Sequence, residues 1–240
     1  MSASGRSDGG VRVEVSRAAW LYISVVVLAT TAVVAGAPPQ AMPPYTHHEW
    51  LVILLCLQAL FLICDTARTP LATRQMKWSP SSSATLAAVV LLGPMGAALV
   101  GATSVLSLRR HLRMHERLFN GAMHALCGLA AAEVFVALHG RLGIPVVKDF
   151  PNIIWPFAAA AVTHVLVNQV LIWGVYRLNR GRRMLRRGTL ESSLPLLLVS
   201  DLGYAALGLV IASLWHVMGP FAAAIVLVPQ MGPSRATTKL

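Results

Sequence analysis

Two short patterns carry groups suited to ligand binding or proton transfer. Asn120 and His124 stand four residues apart in LFNGAMHALCG, and His164 and Asn168 repeat that spacing in AVTHVLVNQ. Residues at i and i+4 share one helix face, so each pattern predicts a face bearing one imidazole and one amide. The imidazole can titrate near neutral pH and the amide cannot. Such a set fits hydrogen bonding to a small solute, or holding a proton, better than nucleophilic attack. Asp201, in LLLVSDLGYAAL, is a third ionisable group in apolar surroundings and a candidate for the same cluster. The competing reading is interhelical hydrogen bonding alone, at about 0.6 to 2 kcal/mol per contact in a membrane.

Other groupings lack the spacing their chemistry needs. His47, His48 and Glu49 are adjacent, so their side chains diverge where metal ligands must converge, and no metal site is predicted. CDTAR, Cys64 to Arg68, is similar to the Asp and Ala-Arg of membrane phosphotransferases that use nucleotide-activated alcohols. Those enzymes need further aspartates soon afterwards, whereas the next acid here is Glu116. There is no HExxH, GxSxG or phosphate-cradling glycine loop, so no catalytic residue and no cofactor is predicted. Cys56, Cys64 and Cys127 all lie in apolar runs, where a free cysteine acts as a small hydrophobe.

The elements that must position the polar groups are apolar. Of the 240 residues, 56% are hydrophobic and 12% charged, a balance that points away from a soluble domain. The apolar runs are Ala18 to Ala37, Trp50 to Cys64, Ser82 to Ser107, Leu118 to Leu138, Phe157 to Tyr176, Leu194 to Leu214 and Pro220 to Met231. Most approach the roughly 20 residues a helix needs to cross a bilayer core. This predicts an all-α polytopic integral membrane protein with six to eight transmembrane or re-entrant helices. One membrane domain, 18–231, lies between tails 1–17 and 232–240.

The third run is broken in the middle by Gly93, Pro94 and Gly96, which leaves one kinked helix or a hairpin of two short ones. Charge chooses between them, because Lys and Arg accumulate in cytoplasmic loops. With a turn at Gly93 to Gly96, eighteen of the twenty basic residues fall on one side, and only Arg141 and Lys148 on the other. A single kinked helix would split the basic loops between the two sides. The hairpin is therefore predicted, with both termini cytoplasmic. The first run ends in Ala35-Gly36-Ala37, like a signal-peptide cleavage site, but its length and the following Pro38 favour a retained anchor.

Within this layout RLNRGRRMLRRG, with Arg177, Arg180, Arg182, Arg183, Arg186 and Arg187, is a cytoplasmic loop whose nearest anions are phospholipid head groups. A nucleic-acid partner is not predicted, since no polar stretch is long enough to fold into a domain that would bind one. The segment Ser107 to Phe119 places Leu108, Leu112, His115 and Phe119 on one helical face, which predicts a helix lying along the inner membrane surface.

Three stretches also resemble a known family. ATLAAVVLLGPMGAALVGA, RLFNGAMHALCGLAAAEVF and AAAVTHVLVNQVLIW, with the basic loop and closing apolar segments, resemble the N-terminal membrane region of actinobacterial signalling proteins with HD-GYP or GGDEF output domains. The likeness covers roughly Ser82 to Pro229 and implies a sensor and anchor in a bacterial cytoplasmic membrane. No output domain is expected after the closing apolar segments, so the family's phosphodiesterase or cyclase activity is not carried over. The expectation is a stand-alone, non-catalytic module that works through a separate signalling subunit. LLGPMGAALVG with its basic follower also looks like the S components of energy-coupling-factor transporters, which would imply a solute-binding subunit and a transport partner.

Overall fold

The first two long helices begin where a polar side chain satisfies free amides. The Ser16 hydroxyl accepts the Ala19 amide at 3.1 Å, and α1 follows over Arg17–Gly36. A capping box opens α2, His47–Thr66: the Thr46 amide donates to Glu49 Oε2 at 2.9 Å, and the Glu49 amide donates to Thr46 Oγ1 at 3.2 Å. A two-residue antiparallel ladder pairs β1, Thr69–Pro70, with β2, Lys77–Trp78. Then come α3 (Ser81–Ala102), α4 (Met114–Ala137), α5 (Ile154–Arg180), α6 (Arg187–Met218) and the short α7 (Ala222–Leu227). The computed structural model describes residues 16–36, 43, 45–66, 69–70, 77–78, 80–107, 112–180 and 187–227. Six of its helices are long and apolar enough to cross a membrane. The protein is an all-α, multi-pass membrane protein, as its composition predicts.

The chain reverses at Gly93, which has φ 74° and ψ −167°. Thr85 and Ala97 are twelve residues apart, about 18 Å in an unbroken helix. Yet Thr85 Cγ2 and Ala97 O lie 2.9 Å and 2.6 Å from the point where a Cβ on Gly128 would sit. Only a hairpin brings both to one glycine of α4. Its arms are 81–92 and 94–102, the second prolonged by a 3-10 turn over Thr103–Leu106. Each arm reaches about 20 Å, short of the roughly 30 Å bilayer core, so other helices must enclose it. α4, α2 and α6 do so.

Side-chain bonds fix the directions of the surrounding helices. α1 and α4 run parallel: Trp20 meets His115 with ring centres 4.6 Å apart, and Thr30 Oγ1 donates to Ala122 O at 3.4 Å. α5 runs antiparallel to α1, with Ser16 Oγ donating to Leu178 O at 2.7 Å and Tyr22 to Leu171 O at 3.3 Å. α2 follows the second arm of the hairpin, where Gln58 Nε2 donates to Leu99 O at 3.3 Å. These directions place Arg17, Arg113, Arg117 and Arg177 at one end of the bundle. Arg141 and Lys148 lie at the other, in the 138–153 connection.

That connection folds back over the hairpin tip. His139, at φ 59°, ends α4 by donating to Val136 O, and the Gly140 amide reaches Phe135 O at 2.8 Å, the two bonds of a Schellman motif. The Gly143 amide then donates to Val90 O at 2.9 Å, and Leu142 covers Gly93. Arg141 Nη1 pairs with Asp149 Oδ1 at 2.8 Å, and the Val146 amide donates to Asp149 Oδ2 at 2.9 Å.

Two expectations are corrected. Ser107 to Phe119 does not form one surface helix. Ser107 is buried, 108–111 lie outside the described residues, and His115 and Phe119 sit in the first turns of α4, packed against Trp20 and Tyr22 of α1. Their shared face is real, but its partner is a neighbouring helix. The last run, Pro220 to Met231, is no full span over its described part. The chain turns at Gly219, φ 53°, and α7 is six residues long, about 9 Å.

Candidate functional site

α4 and α5 are antiparallel neighbours joined by the 138–153 connection, and their two polar patterns fall at matching depth. Position 124 faces the level of 164, and 120 that of 168. The apolar part of the seam is made by Phe119, Ala122, Met123 and Cys127 of α4 against Val167, Leu171, Ile172 and Val175 of α5. Into this packing α4 brings His124 and α5 brings His164.

His164 is 3% exposed. Its Nε2 and the Oδ1 of Asn168, one turn along, are both buried and have no hydrogen-bond partner among the described residues. His124 is held from a third side by Phe61 of α2, whose ring lies edge-on with centres 5.4 Å apart. The His124 carbonyl is covered by Gly101 of α3, where no side chain would fit. Asn120 lies one turn from His124 and is half-buried. Asp201 belongs to α6, but its side chain lies outside the described residues, so its part in the cluster does too.

The seam offers hydrogen-bond donors and acceptors in apolar surroundings. Of the basic group, Arg177 is exposed at the end of α5, with its guanidinium 5.0 Å from the centre of the Trp173 ring. Arg180 and Arg187 belong to the ends of α5 and α6, while Arg182, Arg183 and Arg186 lie outside the described residues.

One polar contact has no forewarning in the sequence patterns. Asp65, near the end of α2, is buried, and Ser107 Oγ donates to its Oδ2 at 2.7 Å. This hydrogen bond ties the end of α2 to the end of the hairpin. Asp65 lies one turn beyond Phe61, a spacing that would have linked it to the His124 face had the partner helix been known. No family model matches the chain, and neither a curated protein nor a solved structure does. Both family resemblances therefore stay expectations drawn from the sequence.

Proposed function

We propose that the chain is a membrane sensor-like module, non-catalytic, that takes a small polar species or a proton at the α4–α5 seam and acts through a separate protein. The observation that carries this reading is the pair of buried polar atoms without a hydrogen-bond partner among the described residues, His164 Nε2 and Asn168 Oδ1. Polar groups that serve only as interhelical glue bond to one another. Leaving two on one face without partners costs free energy that a bound hydrogen-bonding species would recover. In this reading the arginine end faces the cytoplasm of a bacterial cell with the start of α1 on that side, and Arg177 at the end of α5 lies beside anionic head groups.

A screen of small molecules, and of pH, for thermal stabilisation of the purified protein tests it, because a species bound only by the folded state raises apparent stability. The variant His164→Gln should unfold near the wild-type temperature and lose the stabilisation. Equal stabilisation of wild type and variant would remove the seam as the binding site. The solute-binding transporter reading draws on a different observation, the enclosed α3 hairpin, since broken helices at membrane depth line the sites of many transporters. Solute uptake that requires co-expressed ATPase and coupling subunits would favour it over sensing.

A further inference from the structure

At the end of the bundle opposite the arginines, three separate stretches of chain line a cleft of about 290 Å³. Its walls are apolar and aromatic: Tyr45 before α2, Val52 in the second turn of α2, Ile144 in the 138–153 connection, and Trp215 near the end of α6. Trp215 is only 7% exposed, so its ring is a fixed wall. The volume is near the lower bound of sites that hold small ligands, which typically pair such walls with a few polar groups.

Two of the polar groups define the chemistry. The Tyr45 hydroxyl is buried against the Ile144 backbone without completing a well-formed hydrogen bond. Burial first, and then the nearby Glu49 charge, push its pKa above the ordinary phenol value, so it remains a neutral donor and acceptor. Glu49 stands at the mouth. Its Oε2 accepts the Thr46 amide and hydroxyl, both at 2.9 Å, and it forms no ion pair among the described residues. His48 beside it is exposed, and the guanidinium of Arg141 is engaged by Asp149.

An exposed carboxylate at the mouth of a cleft lined by two aromatic rings and an apolar wall selects against anions and favours a cation with a small organic body. A metal ion is disfavoured, since the described residues contain no group of three His, Cys, Asp or Glu able to hold one. We propose that this cleft binds a small organic ammonium, with Glu49 taking the charge, the Tyr45 and Trp215 rings flanking it, and Val52 and Ile144 covering its carbon skeleton. The ammonium could be supplied by a free amine in solution or by the head group of phosphatidylethanolamine, because exposed Trp155 and Phe221 put this end at the level of an interface. This site is separate from the α4–α5 seam and stands whether or not the seam binds anything.

The test uses the full chain in phosphatidylglycerol nanodiscs, which contain no ammonium, and follows thermal unfolding. Added ethanolamine, against sodium chloride of equal ionic strength, should stabilise the protein saturably. Nanodiscs that include phosphatidylethanolamine form the second arm. Stabilisation there without an effect of free ethanolamine assigns the head group as the source; an effect of the free amine assigns the soluble one. Glu49→Gln keeps an amide oxygen for the Thr46 cap, so it should fold like wild type, yet weaken binding about tenfold through the lost charge. Tyr45→Phe should weaken it by less, and His164→Gln should leave it unchanged. Absence of saturable stabilisation in both arms, or wild-type binding by Glu49→Gln, overturns the proposal.

Discussion

α3 and α5 are both apolar enough to cross a bilayer, yet 89% of the α3 run is buried inside the protein and only 22% of the α5 run. Side-chain size accounts for the difference. α3 is built largely of Ser, Ala, Gly and Val, which let backbones approach until Gly128 of α4 touches both arms of the hairpin. α5 turns Val162, Leu166, Val170 and Trp173 outward at spacings of four, four and three. Lipid tails are as apolar as leucine, so hydropathy does not separate a helix solvated by lipid from one solvated by protein. Small residues do.

The contrast can be broken most severely at Gly128. Replacing it with Leu should force α4 away from Ala97 and Thr85 and cost about 3 kcal/mol, read as loss of monodisperse protein and a lowered unfolding temperature in detergent. Gly93→Ala, at positive φ with Leu142 only 3.2 Å from the new Cβ, should cost about 2 kcal/mol by the same measurement. A smaller effect is expected where the 138–153 connection covers the hairpin tip. The Val146 amide, and then Arg141, hold the Asp149 carboxyl below the usual carboxylate range. Its contribution is thus complete above about pH 4 and is lost as pH falls through the lowered folded value. Asp149→Asn should remove about 1 kcal/mol or less at neutral pH, seen as faster amide exchange at Val146 and Gly143. Val170→Ala on the outward face of α5 should change stability by no more than about 0.5 kcal/mol. A larger loss would mean that this face is covered by protein after all.

The helices were legible as apolar runs: Ala18 to Ala37 corresponds to Arg17–Gly36, and Leu118 to Leu138 to Met114–Ala137. The reversal at Gly93 was legible too, because glycine and proline break the helix while the balance of basic residues counts its crossings. Spacing alone sets His124 and His164 at one depth, since they lie at matching levels of consecutive antiparallel helices. What spacing could not supply was convergence between distant segments. Asp65 finds Ser107 only after the hairpin has closed, and the cleft needs Tyr45, Ile144 and Trp215 from three parts of the chain. Hydropathy also could not show that His115 and Phe119 meet α1 instead of the membrane surface, because both environments accept the same amphipathic face.

The short arms of α3 also set an order of assembly during synthesis. The hairpin leaves the ribosome when only α2, of the three helices that enclose it, has been made; α4 and α6 come later. Neither arm can span a bilayer by itself, so the nascent segment must wait beside α2 with Ser83 and Thr85 still uncovered. Gly128 closes one flank once α4 has entered, and Gly208 of α6 closes the other against Ser83. The centre of the protein therefore becomes dry only after α6 has entered, and α6 is the helix that finishes it.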